Sequence, residues 1–269
     1  MNKTLIQIQN AASEALTSGQ ERIWYDAEYR PGDTICVTVP RPGYYVICLE
    51  DTMGEQLVYM NECTFRFEIP FGNARLSYNP RSFVGAAHYL SARPATKEEI
   101  ALHRDLARNV YDCHGNDTCF PHASANVETR GESVFASRNA IDGVICPWCH
   151  GAYPFASWGI NQRPDAEWRL DFGRTVQADK LVLYLRADFP HDAWWESARV
   201  TLSDGQVLHL SLQKTGQAQS FDLNGAKITG LLLDELKKAA DPSPFPALTQ
   251  VQVWGNEVED FEDSFDYDS

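Results

Sequence analysis

Residues 166–173 read AEWRLDFG. Trp168, Leu170 and Phe172 alternate with Arg169 and Asp171, the period-two pattern of a strand with one face buried and one face wet. Outward from this stretch the pattern repeats in short runs: KLVLYLR (180–186), ARVTLS (198–203), VLHLSLQ (207–213), QSFDL (219–223), ITGLLLDEL (228–236) and LTQVQVWG (248–255). LSDGQ (202–206) offers Asp204-Gly205, a pair that accepts the positive φ of a tight hairpin turn. Many short strands with no helical period between them predict a β-sandwich over about 120–256. No self-similarity at a fixed period suggests a solenoid or propeller.

Upstream, β-branched and aromatic runs recur at RIWYDAEY (22–29), TICVTV (34–39), GYYVICLE (43–50), QLVYM (56–60) and CTFRFEI (63–69). RPGD, PRPG and DTMGE separate them as turns, which predicts a small antiparallel β-sandwich at 20–92. Two helices are expected around it. Leu5, Ile8, Ala12 and Leu16 are spaced like one helix face, with Gly19 to end it, giving an N-terminal helix at 1–19. In the linker at 93–119, Thr96 followed by Glu99 forms a capping box before Leu102, Leu106 and Val110, predicting a connecting helix over about 96–112. The fold class expected is therefore all-β: two sandwiches with an N-terminal and a connecting helix.

Composition narrows the function. With 43% hydrophobic and 12% aromatic residues in 269, the chain buries a real core. The net charge is −14, and an acidic tail at 257–269, EVEDFEDSFDYDS, supplies seven acids and no base, leaving about −7 for the rest. Such a chain has no basic field for a phosphate backbone, so nucleic acid is not an expected partner. The tail reads as a mobile, solubilising end or as a docking segment for a basic partner. No stretch reaches the ~18 apolar residues of a membrane span, and the N-terminus lacks the unbroken apolar segment of a secretory signal. Seven irregularly spaced cysteines agree with a reducing compartment, and the chain reads as cytoplasmic.

Four segments in order carry a family resemblance: ASRNAIDG (136–143), SWGINQRPDAEWRLDFG (157–173), ADKLVLYLR (178–186) and LTQVQVWG (248–255). About half of the chain thereby resembles the discoidin-type, galactose-binding-like jelly roll found in coagulation-factor C domains and many carbohydrate-binding modules. The resemblance implies a jelly roll at 120–256 that binds a ligand, often a sugar, through loops at one end, with a structural calcium at or beside Asp142. The chain departs from the family in lacking paired terminal cysteines and in its long aromatic loop CPWCHGAYPFASWGINQRPD (146–165).

Sugar recognition needs flat aromatic faces for the apolar side of a pyranose, and carboxylates and guanidinium groups for its hydroxyls. RADFPHDAWWESA (186–198) holds Arg186, Asp188, His191, Asp192, Trp194 and Trp195. Adjacent tryptophans in a strand face opposite ways, so at most one of the pair meets ligand. Trp158, Asn161, Arg163, Asp165 and Glu167 form a second group that the resemblance brings to the same end. The ligand-binding set expected is Trp158, Arg163, Arg186, Asp188, His191, Trp194 and Trp195. The competing reading makes one of the pair a core residue with Arg186 clamped to Asp188, and Trp158 a buried wedge with Arg163 a surface charge. AADPSPFPALTQ (239–250) presents Phe245 from a proline-stiffened loop that suits binding, since little entropy is lost on contact, but reads first as a cover over the sandwich. Cys146 and Cys149 have the C-x2-C spacing of a zinc knuckle, which Cys113 or Cys119 and His114, His122 or His150 would complete; a dithiol, a disulfide or unligated cysteines are the alternatives.

No G-x-S-x-G, H-E-x-x-H, phosphate-binding glycine loop or dinucleotide fingerprint occurs. The function expected is a non-catalytic carbohydrate-binding protein, with no membrane partner and an oligomeric state the sequence leaves open. The alternatives are a sugar-processing enzyme or accessory subunit whose site is closed by the N-terminal domain, and a protein-interaction module.

Overall fold

The computed structural model describes residues 3–258. The first sandwich faces a four-stranded sheet against a five-stranded one. The smaller sheet runs in the order β2 (Ala15–Gln20), β1 (Leu5–Gln9), β4 (Thr34–Thr38), β7 (Thr64–Glu68). The larger contains β3 (Arg22–Tyr25), β5 (Gly43–Cys48), β6 (Gln56–Met60), β8 (His88–Pro94) and β10 (Cys119–Phe120). Their inner faces share one core, with Ile6, Ile35, Val37 and Phe67 from one sheet and Tyr45, Ile47, Val58 and Leu90 from the other.

The N-terminal helix expected over 1–19 is instead the hairpin β1–β2. The pattern that decides is Ile6 and Ile8, both fully buried, alternating with Gln7 and Gln9. Asn10 closes the turn by accepting the Ala12 and Glu14 amides, and Ser13 takes the left-handed backbone. Gly19 ends no helix. A Cβ there would lie 2.7 Å from Ile23 Cγ2 and 2.9 Å from the Arg22 carbonyl oxygen, so the position needs glycine for close approach.

The connecting helix is shorter than expected. Its capping box forms, with Thr96 Oγ1 accepting the Glu99 amide at 3.2 Å and the Glu99 carboxylate accepting the Thr96 amide at 2.9 Å. The helix α1 nevertheless spans only Lys97–Ala101. The apolar positions read as one face are pulled three ways: Leu102 stays exposed, Leu106 enters the second core and Val110 the first. From there β9 (Arg104–Asp105) joins the edge of the second sandwich.

That second sandwich comprises β11 (His122–Ala125), β12 (Trp158–Gly159), β13 (Trp168–Leu185), β14 (Trp195–Leu202), β15 (Val207–Ser211), β16 (Gln219–Lys238) and β17 (Ala247–Glu257). Its two longest strands, β13 and β16, pair twice, once over Trp168–Asp171 and again beyond Val176, with a break between. The first stretch continues the layer that holds β11, β14 and β15; the second continues the layer that holds β17. Bending the same strands across both layers closes the jelly-roll sandwich around Trp168, Leu170, Phe172, Leu181, Leu183 and Val253. Gly173 sits at the bend with φ +66°, and a Cβ there would strike the Phe120 ring at 2.4 Å. Among the described residues no helix is long and apolar enough to cross a membrane.

A buried ionic knot ties the sandwiches together. Glu257 was grouped with the acidic tail, yet it ends β17; the tail beyond Val258 lies outside the described residues. Its carboxylate accepts from Arg174 at 2.6 and 3.0 Å, from Tyr44 Oη at 2.7 Å and from Arg104. Arg174 in turn lies 5.5 Å from the ring centroids of Tyr44 and Tyr59 in the first sandwich. Burial acts to raise the Glu257 carboxyl, but Arg174 and Arg104 hold it below its ordinary value. Glu257→Ala leaves the largely buried Arg174 and the partly exposed Arg104 without their counterion, and a loss of about 3–5 kcal/mol is expected in denaturant unfolding. A loss no larger than that of an exposed ion pair, about 0–1 kcal/mol, would show that the knot is not holding the sandwiches.

Candidate functional site

At one end of the second sandwich, connecting segments surround an open cavity of about 160 Å³. Its residues come from four stretches: Thr129, Arg130 and Phe135; His150 with Gly159 to Gln162; Arg186 and His191; and Pro244 to Ala247. All of them lie at or beyond residue 129, after the last strand of the first sandwich, so the first sandwich does not close this site.

Arg186, the residue after β13, anchors the rim. Its guanidinium donates to both oxygens of Asp192, Nε to Oδ2 at 2.8 Å and Nη2 to Oδ1 at 2.5 Å, and both side chains are buried. Further donations reach Ser157 Oγ and the Phe245 carbonyl, each at 3.4 Å, while the Arg186 amide donates to the Ala247 carbonyl. Asp192 also accepts the Asp188 amide at 3.0 Å. One ion pair thus holds the 186–192, 157 and 245–247 segments in fixed relation.

Three flat rings stand on this base. His191 stacks on His150 with centroids 4.1 Å apart and planes 6° apart, and on Phe245 at 5.6 Å and 15°. His150 Nδ1 hydrogen-bonds Asp188 Oδ2 at 2.7 Å. Phe245 keeps 41% of its surface exposed, between Pro244 and Pro246. Across the cavity, Asn161 and Gln162 both take left-handed backbone conformations, and the Asn161 amide donates to Thr129 Oγ1 at 2.9 Å. Gly159 permits this approach, since a Cβ there would meet the same Thr129 oxygen at 2.7 Å. Arg130 pairs with Glu132 and lies 5.6 Å from the Phe135 centroid.

Of the residues expected to bind, His191 and Arg186 line the cavity, and Asp188 orients His150 at its edge. Trp158 and Trp195 do not; they are 0% and 1% exposed, in the core with ring centroids 6.3 Å apart. Trp158 entered the core because β12 pairs with Leu248 and Ala247, and its Nε1 donates to the Val127 carbonyl. Trp194 is half-buried against the same core. Arg163 closes a bidentate pair with its near neighbour Asp165 on the surface and is not among the lining residues. Sequence reasoning takes Phe245 for a cover and His150 for a metal ligand only, and passes over Gln162. The prolines around Phe245 were the available signal, read as a cover when they frame a wall.

Of the expected zinc set, only Cys149 and His150 come together, and the expected calcium ligand does not fit its ion. Asp142 is buried with Arg138 and Arg108 close enough to act on its charge, and its Oδ1 accepts the Val144 amide at 2.8 Å. Burial pushes its carboxyl up to about 7 against the pull of those arginines. A carboxyl that resists ionising, facing guanidinium groups, does not suit calcium, which takes six to eight oxygens. For zinc, Cys119 is sealed in the first core with Cys113 packed against it, His122 bonds Asp112 and His114 bonds Glu128. They are occupied away from Cys146 and Cys149.

A scan against protein-family models finds no match, and a search of the curated proteins finds none either. Among solved structures, the chain is similar to the lectin binding domain of Lectinolysin complexed with Lewis b, at 18% identity and TM-score 0.44, over 58% of this chain and 99% of that one. It is also similar to the family 32 carbohydrate-binding module of C. perfringens NanJ in complex with galactose, at 10% identity and TM-score 0.41, over 57% and 99%. A Streptococcus pneumoniae fucose binding module follows at 17% identity and TM-score 0.39, over 57% and 98%.

Two outcomes follow from this geometry. Asp192→Ala strands Arg186 in the interior, and unfolding experiments are expected to register a loss of about 3–5 kcal/mol; near-neutral behaviour would mean that the rim stands without the pair. For Asp142, the folded state keeps a proton between its ordinary value of 3.8 and about 7 that the unfolded chain releases, so its contribution to stability falls as pH rises through that window. Asp142→Asn removes this slope: the variant gains on wild type in melting temperature from pH 4 to pH 7, and parallel pH curves would refute the assignment.

Proposed function

We propose that the chain binds a carbohydrate without transforming it, in the cavity at the loop end of the second sandwich. The observation that carries this reading is Phe245, an exposed ring on a proline-stiffened loop beside His191, opposite the polar side chains of Thr129, Asn161 and Gln162. A pyranose has the matching surface: an apolar face for an aromatic ring and hydroxyls around its edge for amide and hydroxyl groups. The cavity of about 160 Å³ is small beside the ~300–1,000 Å³ of pockets that enclose drug-sized ligands. It suits one terminal sugar ring, with the remainder of a glycan in solvent.

A closing N-terminal domain, which an enzymatic reading required, contributes nothing to the cavity wall. Asp192, the carboxylate paired with the cavity-lining Arg186, is fully buried and also engaged by the Asp188 amide and His191 Nδ1. Both facts support binding over hydrolysis.

A glycan array with the full chain identifies the sugar, and titration of the best ligand against variants tests the wall. Removing the Phe245 ring costs about 1.5–3 kcal/mol of apolar contact, so Phe245→Ala is expected to weaken binding about 10- to 100-fold. Its melting temperature should change little because the ring is exposed. Arg163→Ala, altering a surface pair outside the cavity, should bind as wild type. Full retention of affinity in Phe245→Ala, or no array signal at all, would reject this function.

A further inference from the structure

Beside the cavity, Cys149, His150 and Asp188 bring one thiol, one imidazole and one carboxylate together, their donor atoms all within 4.8 Å of one another. Among the described residues this is the one group of three or more such side chains so arranged. We propose that it is a binding site for a zinc-class divalent metal ion, held by Cys149 Sγ, a His150 ring nitrogen and Asp188.

The donor set selects the ion class. Sulfur and imidazole nitrogen favour zinc and its neighbours in the first transition row, whereas calcium and magnesium require oxygen. The donors are also little engaged elsewhere. Among the described residues, Cys149 Sγ makes one weak contact, 3.8 Å to the His150 carbonyl oxygen, and the Asp188 carboxylate meets His150 alone. The backbone carrying Asp188 is fixed by two hydrogen bonds to Asp192, and so by the Arg186 pair beneath it.

Tetrahedral zinc with bonds of about 2.0–2.3 Å sets its ligand atoms about 3.3–3.8 Å apart. Reaching that spacing from the present one takes a movement of about 1 Å, which the half-exposed Cys149 side chain can make. The thiol S–H bond breaks, its proton passes to buffer and a sulfur–metal bond forms; the hydrogen bond between His150 and Asp188 gives way to two bonds to the metal, the ring binding through its unprotonated nitrogen while the other nitrogen carries the single ring proton, exchanged through solvent. Three protein ligands leave a fourth position for water, as in open metal sites. His150 is part of the cavity wall and stacks on His191, so the ion also pins one side of the cavity.

The site differs from the zinc knuckle that the C-x2-C spacing suggests, since Cys146 is not in the group. The test is titration of the chelator-treated, untagged full chain with Zn²⁺ against a chromophoric competitor, and with Co²⁺ followed by absorption. One equivalent should bind, with the cobalt form showing thiolate-to-metal charge transfer and the visible bands of a four-coordinate ion. Cys149→Ser and Asp188→Asn should lose about 100-fold or more in affinity, while Cys146→Ser binds as wild type. Absence of one-to-one binding, a cobalt form without charge transfer, or affinity unchanged in Cys149→Ser would overturn the proposal. Equal loss in Cys146→Ser would replace it with the knuckle. These readouts use no sugar, so a failed glycan titration leaves them intact, and a failed metal titration leaves the glycan result intact.

Discussion

The ion pair between Arg186 and Asp192 is the constraint on which the loop end of the second sandwich depends. Removing two charges from water is expensive, and a buried pair is tolerated only when its remaining donors and acceptors are met. Here they are: the guanidinium serves Asp192 with two hydrogen bonds and reaches Ser157 and the Phe245 carbonyl, while the carboxylate takes the Asp188 amide as well. An apolar pair of equal volume could match it in stability, but it could not position three segments, because dispersion has no direction. Arg163 and Asp165 make the same bidentate contact on the surface, where water competes and the pair organises nothing beyond itself.

The same chemistry serves a different purpose at the junction of the sandwiches. Glu257, Arg174, Arg104 and Tyr44 form a closed set in which each charged group has its partner, so burial does not leave an orphan. The irregular segment between β9 and β10 is satisfied in the same manner. Asp112 accepts His122 Nδ1 at 2.7 Å, the Ala123 amide at 2.9 Å and Asn116 Nδ2 at 3.0 Å, and Asn109 donates to the carbonyls of Cys119 and Pro121. A chain without regular structure survives there because polar side chains take the place of a ladder.

How much of this was readable in the sequence depends on whether the deciding contact is local. Trp168, Leu170 and Phe172 announce a strand because alternation is a property of neighbours, and the capping box at Thr96 and Glu99 is written in four residues. The length of α1 was not readable, since Leu106 and Val110 are claimed by different cores. At the N-terminus two periods competed in the same residues, and the alternation of Ile6 and Ile8 won because a sheet edge at β4 was there to receive it. The site divides in the same way. Its location followed from loops after strands converging at one end, whereas the roles of its residues did not: Trp158 is buried by pairing with residues about ninety positions away, and His150 is oriented by Asp188 from a separate loop.

What the rim offers a ligand follows from how little of it is free to move. The stack from His150 through His191 to Phe245 joins three loops ring to ring, and Ser243 adds a hydrogen bond from its hydroxyl to the His191 carbonyl. Prolines on both sides restrict the backbone at Phe245, and Asn161 and Gln162 are held in left-handed conformations by the packing of Thr129 against Gly159. A shallow cavity makes few contacts, so its affinity depends on not losing entropy when those contacts form. Stiff aromatic and turn residues meet that requirement where long, mobile side chains would not. The indoles add to the same stiffness: Trp158 and Trp195 are sealed in the core, 6.3 Å apart, and dense packing there resists movement of the segments that carry the rim.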